Sequence, residues 1–158
     1  MEVDYLFQIG DNIVYPMHGA GIIKAIEEKE IAGEKQQYYV IKMLGSNMEL
    51  MIPAGRILSS NIRPVTDITA IAHILDVFQH GESDRLLTWK QRYKLNTDKI
   101  KTGKIQEGAE VVRDLLRMQK EKALNASEKK MLDNAHEFLI SELGLIEGIT
   151  ESQIKSFC

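Results

Sequence analysis

Two rules of hydrophobic spacing divide the chain near residue 65. From Asp11 to Pro64, β-branched and aromatic residues come in short runs broken by turn formers, the pattern of strands. Asn12–Tyr15 predicts a short strand ended by Pro16. Gly21–Ile31 and Gln37–Leu44 predict two longer ones, joined by a hairpin turn over Ala32, Gly33, Glu34 and Lys35. Gly45, Ser46 and Asn47 make a second turn, Met48–Ile52 a further strand stopped by Pro53, and Asn61–Arg63 a last one before Pro64. Five short strands in about 55 residues predict a small, strongly bent antiparallel barrel of the SH3 or Tudor kind.

Beyond Pro64 the apolar period lengthens to about 3.6, that of an α-helix with one buried face. Asp67 caps a helix whose inner stripe is Ile68, Ile71, Ile74, Leu75 and Phe78, ending near Gly81. Glu82–Leu87 reads as a flexible connection. Thr88, with Gln91 three residues on, forms the capping box of a second helix that Gly103 closes. A third runs from about Ile105 to Lys122 with Val111, Val112, Leu115 and Met118 inward. Asn125 and Glu128 open a fourth, striped by Met131, Ala135, Phe138, Leu139 and Leu143 and stopped at Gly144; Thr150 caps a short terminal helix. The expected fold is α+β by segregation, with a β domain over residues 1–65 and an all-α domain of four to five helices over 66–158.

Composition changes this picture little. The 158 residues are 44% hydrophobic and 27% charged, the balance of a globular protein. The N-terminus has no basic region followed by an apolar core, and no uncharged apolar run nears the ~18 residues that span a bilayer. The single cysteine, Cys158, leaves no internal disulfide and no cysteine-based metal site. A cytoplasmic location is expected.

Charge changes it more. Between Arg85 and Lys104 stand seven Lys/Arg and one acid, Asp98, about +6 in a chain whose total is −3. The only tryptophan, Trp89, begins this stretch in Thr88-Trp89-Lys90-Gln91-Arg92-Tyr93-Lys94. Solvated helix faces usually mix their signs, whereas Lys90, Arg92, Lys94, Lys99, Lys101 and Lys104 face Asp98 alone. A large aromatic at a helix N-terminus, followed by cations, is the chemistry of a nucleic-acid surface: phosphates meet Lys/Arg, and the indole can wedge against a base step. Neutralising four or five phosphates gives a salt slope of about −4. No cluster of Asn, Gln and Arg forms a base-reading helix, so the expected contacts are to backbone and shape. In the β half, Met48-Glu49-Leu50-Met51-Ile52 is either a core strand or an exposed edge open to strand addition by a partner protein.

Enzyme chemistry finds no foothold. Gly103-Lys104 is followed by Ile105 and not by Ser or Thr, so there is no phosphate loop, and Gly19-Ala20-Gly21 lacks the third glycine of a dinucleotide fingerprint. His18, His73, His80 and His136 show no ligand spacing. No cofactor and no metal are expected.

The segment Gly10-Asp11-Asn12-Ile13-Val14-Tyr15-Pro16-Met17-His18-Gly19 resembles the opening of the CarD/CdnL family of bacterial transcription regulators. So do Trp89-Lys90-Gln91-Arg92-Tyr93-Lys94 with Lys99 and Gly103, Glu110-Val111-Val112-Arg113-Asp114-Leu115, and Ser127-Glu128-Lys129-Lys130-Met131-Leu132, in that order along the chain. The first half is also similar to the polymerase-interacting module of transcription-repair coupling factors, without their helicase motifs. The resemblance implies that the barrel docks on the β subunit of RNA polymerase through Glu49, Leu50, Met51, Ile52 and Pro53. It implies that the helical domain meets promoter DNA at the upstream edge of the melted bubble, stabilising the open complex. Trp89 then matches the family's minor-groove wedge, Arg92 and its basic neighbours Lys90, Lys94 and Lys99 match positions that touch the DNA backbone, and Tyr93 belongs to the same DNA-binding set. Met51 stands where many members carry arginine; Lys42 and Arg56 are candidates to substitute. A monomer suffices for this scheme. The rival reading is a protein–protein adaptor whose basic face meets an acidic partner.

Overall fold

The computed structural model describes residues 6–158, which fall into two compact units meeting at Val65/Thr66. The first is one antiparallel sheet of five strands: β1 (Asn12–Tyr15), β2 (Gly19–Ile31), β3 (Glu34–Met43), β4 (Glu49–Pro53) and β5 (Arg63–Pro64), in the order β4-β3-β2-β1-β5. Among the described residues β4 pairs only with β3, and β5 only with β1. The two ends of the sheet therefore stay open.

The expected hairpin turn is shorter than its sequence implied. Ala32 and Gly33, at φ 55° and 82°, form a two-residue turn with both residues left-handed, and β3 begins already at Glu34. Such a turn matches the right-handed twist of the flanking strands, which explains why pairing continues to Ile31↔Glu34. The β2–β3 register shifts between Ile23 and Ala25, a bulge at Lys24 that bends the long hairpin over its own core. That core is Phe7, Ile13, Ile23, Tyr39, Ile41, Met43, Ile57 and Ile62. Phe7 meets Tyr39 edge to face with ring centroids 6.1 Å apart, and its backbone N–H donates to the Tyr39 hydroxyl at 3.2 Å. The buried phenol is thereby satisfied without water.

The second unit contains α1 (Ile71–His80), α2 (Trp89–Thr102), α3 (Ile105–Glu121), α4 (Ala126–Leu143) and the short α5 (Glu151–Lys155). Asp67 accepts from the Thr69 backbone at 2.9 Å, but what it caps is a 3-10 turn over Ile68–Ala70 that leads into α1. Val111, Val112 and Leu115 of α3, with Met131, Leu132, Ala135, Leu139 and Leu143 of α4, are buried and build the centre of this unit. Phe157, beyond α5, stacks against Phe78 of α1 with centroids 5.2 Å apart, tying the C-terminal end to the first helix. Among the described residues no helix is long and apolar enough to cross a membrane.

The 82–87 stretch, expected to be flexible, is held fast. Arg113 donates to the Val77 and Glu82 carbonyls at 3.0 Å each, and Arg117 donates to the Gly81 carbonyl at 2.6 Å and to Ser83 Oγ at 2.8 Å. Two arginines one helical turn apart clamp the link through its backbone, a partner that a local reading of loop composition cannot see.

Candidate nucleic-acid interface

Helix α2 begins where its capping box requires. The Gln91 backbone N–H donates to Thr88 Oγ1 at 3.3 Å, and the Thr88 N–H donates to Gln91 Oε1 at 3.0 Å. Gly103, at φ 71°, ends the helix in the left-handed conformation that its missing Cβ permits. Trp89 is consequently the first helical residue. Side chains in a helix tilt toward its N-terminus, so the indole leans toward the start of α2. It is 48% exposed, and its ring contact is Tyr93 one turn on, edge to face at 6.4 Å. Leu86, 93% exposed, stands just before it.

The cations around Trp89 divide in two. Lys90, Lys101 and Lys104 are exposed and make no ion pair among the described residues, and Lys94 pairs with exposed Asp98 at 2.9 Å along the helix. Arg92 and Lys99 are different. Arg92 donates through Nε and Nη2 to the two oxygens of Glu128 at 2.8 and 2.7 Å, and Lys99 donates to Glu110 Oε2 at 2.8 Å. The expectation that six cations face Asp98 alone is therefore corrected. Their carboxylate partners lie 11 and 36 residues further on, outside any count along the segment. Hydrogen bonding to Glu128 raises the Arg92 pKa above its ordinary value despite burial.

Burial alone would push Glu110 up, but its hydrogen bond and charge contact with Lys99 prevail and hold it below the ordinary 4.5. A depressed carboxylate contributes stability that is complete above pH 4.5 and lost as pH falls through its lower folded-state value. Acid titration followed by helical circular dichroism should thus show a fall in Tm beginning below pH 4.5 that is shallower in Glu110→Gln.

Basic residues the sequence reading did not single out lie at the same end. The Arg92–Glu128 bonds bring the first turn of α4 to the first turn of α2, and Arg85 donates to Glu121 at the end of α3 at 2.9 Å. Exposed Lys120, Lys122, Lys129 and Lys130 are carried on those two helix ends. A visible signal was the doublet Lys129-Lys130 directly after the capping glutamate. Behind α2, a cleft of about 170 Å³ is lined by Leu87, Leu95, Asn96 and Met118 among others; Asn96 is buried and its Nδ2 has no partner among the described residues.

In the sheet unit, β4 is an edge strand with two faces. Leu50 and Ile52 pack on the core, while Glu49 and Met51 point out, Met51 being 39% exposed. Lys24, on the bulge, donates to Glu49 and lowers its pKa through that hydrogen bond. Among the described residues no group of three or more His, Cys, Asp or Glu could hold a metal ion.

Residues 7–66 match the model of the CarD-like/TRCF RID domain, and residues 73–158 that of the CarD C-terminal domain. The chain belongs to the CarD family. Within it, a Bacillus subtilis (strain 168) protein, "Putative transcription factor YdeB", is 81% identical over 152 residues, 96% of this chain and 99% of that one. The solution NMR structure of the 72-residue N-terminal domain of Myxococcus xanthus CarD is 28% identical, with a TM-score of 0.33, over 40% of this chain and 84% of that domain. CarD family membership fits the order of the two units, sheet first and helices second.

Proposed function

We propose that the chain is a non-enzymatic, monomeric, cytoplasmic transcription regulator that bridges RNA polymerase and promoter DNA. In this reading residues 1–65 dock on the polymerase β subunit, and residues 66–158 hold the upstream edge of the melted bubble. The observation that carries it is Trp89: an indole left half in water at the tip of a capped helix, beside the exposed lysines Lys90 and Lys94. Monomeric proteins gain nothing from exposing their one tryptophan, whereas a minor-groove wedge must be exposed before it binds. Lys90 and Lys94 supply phosphate contacts beside it, Tyr93 buttresses the indole, and Lys129 and Lys130 extend the basic end.

Such a wedge fits distorted DNA only. It binds the open promoter better than the closed one and shifts the equilibrium by that difference alone. Each ~1.4 kcal/mol of preference changes the open-to-closed ratio tenfold. The test is the lifetime of the open complex on a promoter that forms an unstable one, with and without the protein. Lengthening is expected; an unchanged lifetime with polymerase still co-purifying would favour the adaptor reading.

Docking falls to β4. An edge strand offers unpaired backbone groups for strand addition, and Met51 beside them presents apolar surface where many relatives carry arginine. Because Met51 points away from the core, Met51→Glu is expected to leave thermal stability within about 0.5 kcal/mol. It should weaken recovery of polymerase in a pull-down, since a buried carboxylate opposite an apolar contact is unpaired.

A further inference from the structure

We infer that Arg92 and Glu128 act together as the positioning device of the wedge, and that Arg92 is not itself a phosphate contact. This inference rests on the function proposed for Trp89. The structure gives it three independent supports. The first is what holds α2. A helix on a globular protein normally buries an apolar stripe, but the buried residue of α2 is Asn96, a polar one. Leu95 is exposed, and part of the space behind the helix is the 170 Å³ cleft. Apolar packing therefore does little to fix this helix against the bundle.

The second is the geometry of the pair. Both guanidinium donors used are aligned on both carboxylate oxygens, and the side chains are 15% and 2% exposed. A two-point fork fixes direction as well as distance, which a lysine cannot do. Glu128 is itself held in place: its backbone N–H donates to Asn125 Oδ1 at 2.8 Å, so the carboxylate is anchored by the cap of α4. Arg92 lies three residues after Trp89, on the same turn, so whatever orients Arg92 orients the indole.

The third is availability. An arginine already engaged by a buried carboxylate has to break two charge-assisted bonds before it reaches a phosphate, whereas Lys90 and Lys94 on the outer face have no buried partner. Lys99–Glu110, a second partly buried pair two turns on, adds a single-point tether to the far half of α2.

Two substitutions of opposite charge separate positioning from contact. Arg92→Gln removes a cation and Glu128→Gln removes an anion, so a phosphate role for Arg92 predicts loss in the first and unchanged or longer open-complex lifetime in the second. Positioning predicts that both lose most of the lifetime extension, although Glu128→Gln makes the protein more attractive to DNA. Acrylamide quenching of Trp89, the sole tryptophan and hence the only indole signal, should rise in both variants below their melting temperatures. Circular dichroism melts verify that each is folded at the assay temperature. Should Glu128→Gln not fold, Arg92→Lys decides instead: it keeps the charge and loses the fork, and positioning predicts a shortened lifetime where a phosphate contact predicts none. A Glu128→Gln protein as active as the original, or an Arg92→Lys protein as active, would overturn the inference. Failure of Trp89→Ala to shorten the lifetime would instead remove the function it rests on.

Discussion

Trp89→Ala is expected to fold like the original protein, to bind polymerase equally well, and to lose the lengthening of open-complex lifetime. The argument for intact folding is local. Trp89 occupies the first position of α2, is 48% exposed, and has Tyr93 as its ring contact. The capping box that starts the helix uses Thr88 and Gln91 and survives the change. Alanine is also the best helix former, which offsets part of the lost contact area. A stability change of no more than about 1 kcal/mol follows, visible as a small shift in Tm. The functional loss should be much larger. Unstacking a base step costs a few kcal/mol, and a methyl group cannot fill the gap an indole fills. Loss of even ~1.4 kcal/mol of open-state preference shortens the lifetime about tenfold. Competitor-challenge kinetics on a pre-formed open complex read this directly. An unfolded variant would show that Trp89 serves the bundle, and the wedge would be withdrawn.

How far these features can be read in the sequence depends on the distance over which each is determined. The capping boxes at Thr88 and Thr150 and the left-handed stop at Gly103 are set by neighbours within four residues. The apolar stripes of α1, α3 and α4 needed only the helical period. The place of Trp89 at the start of α2 was legible because the Thr88 capping box sets it, and helix beginnings are local. The basic cluster was half legible: counting charges between Arg85 and Lys104 finds the cations but not their partners. Glu128 looked like a cap residue and is one through its backbone, yet its carboxylate belongs to Arg92, 36 residues earlier. The open sheet is a further case. Five short strands implied a small, strongly bent antiparallel β unit, and one is found; its strand order, β4-β3-β2-β1-β5, rests on long-range pairing that no strand's own residues determine.

Arg113, in the Glu110–Leu115 segment, is the residue whose loss should destabilise the protein most. It lies within the apolar stripe of α3, between Val112 and Leu115, a position where a charge persists only if it is paired and hydrogen-bonded. All three nitrogens are engaged: Nη1 donates to the Val77 carbonyl, Nη2 to the Glu82 carbonyl, and Nε to Asp114 Oδ1 at 2.9 Å, with the residue 6% exposed. The first carbonyl belongs to the last turn of α1 and the second to the link after it, so one guanidinium joins α3 to α1 and to that link. Arg113→Met keeps the volume of the stem and removes the donors. The Glu82 carbonyl loses its partner, the Val77 carbonyl keeps only the Gly81 N–H, and Asp114 keeps only the Ser83 hydroxyl, a change that costs about 3–5 kcal/mol by the measure of broken buried ion pairs. For a unit of this size Tm should fall by more than about 10 °C. Gly81→Ala attacks the same joint from the other side, because its Cβ would run into the Arg113 guanidinium and the Val77 carbonyl. The two variants should therefore be far from additive: once Arg113 is gone, alanine at 81 has one obstacle fewer. Thermal melts of the two single variants and the double one measure this. A double variant whose loss equals the sum of the singles would mean that the joint is not built around this one side chain.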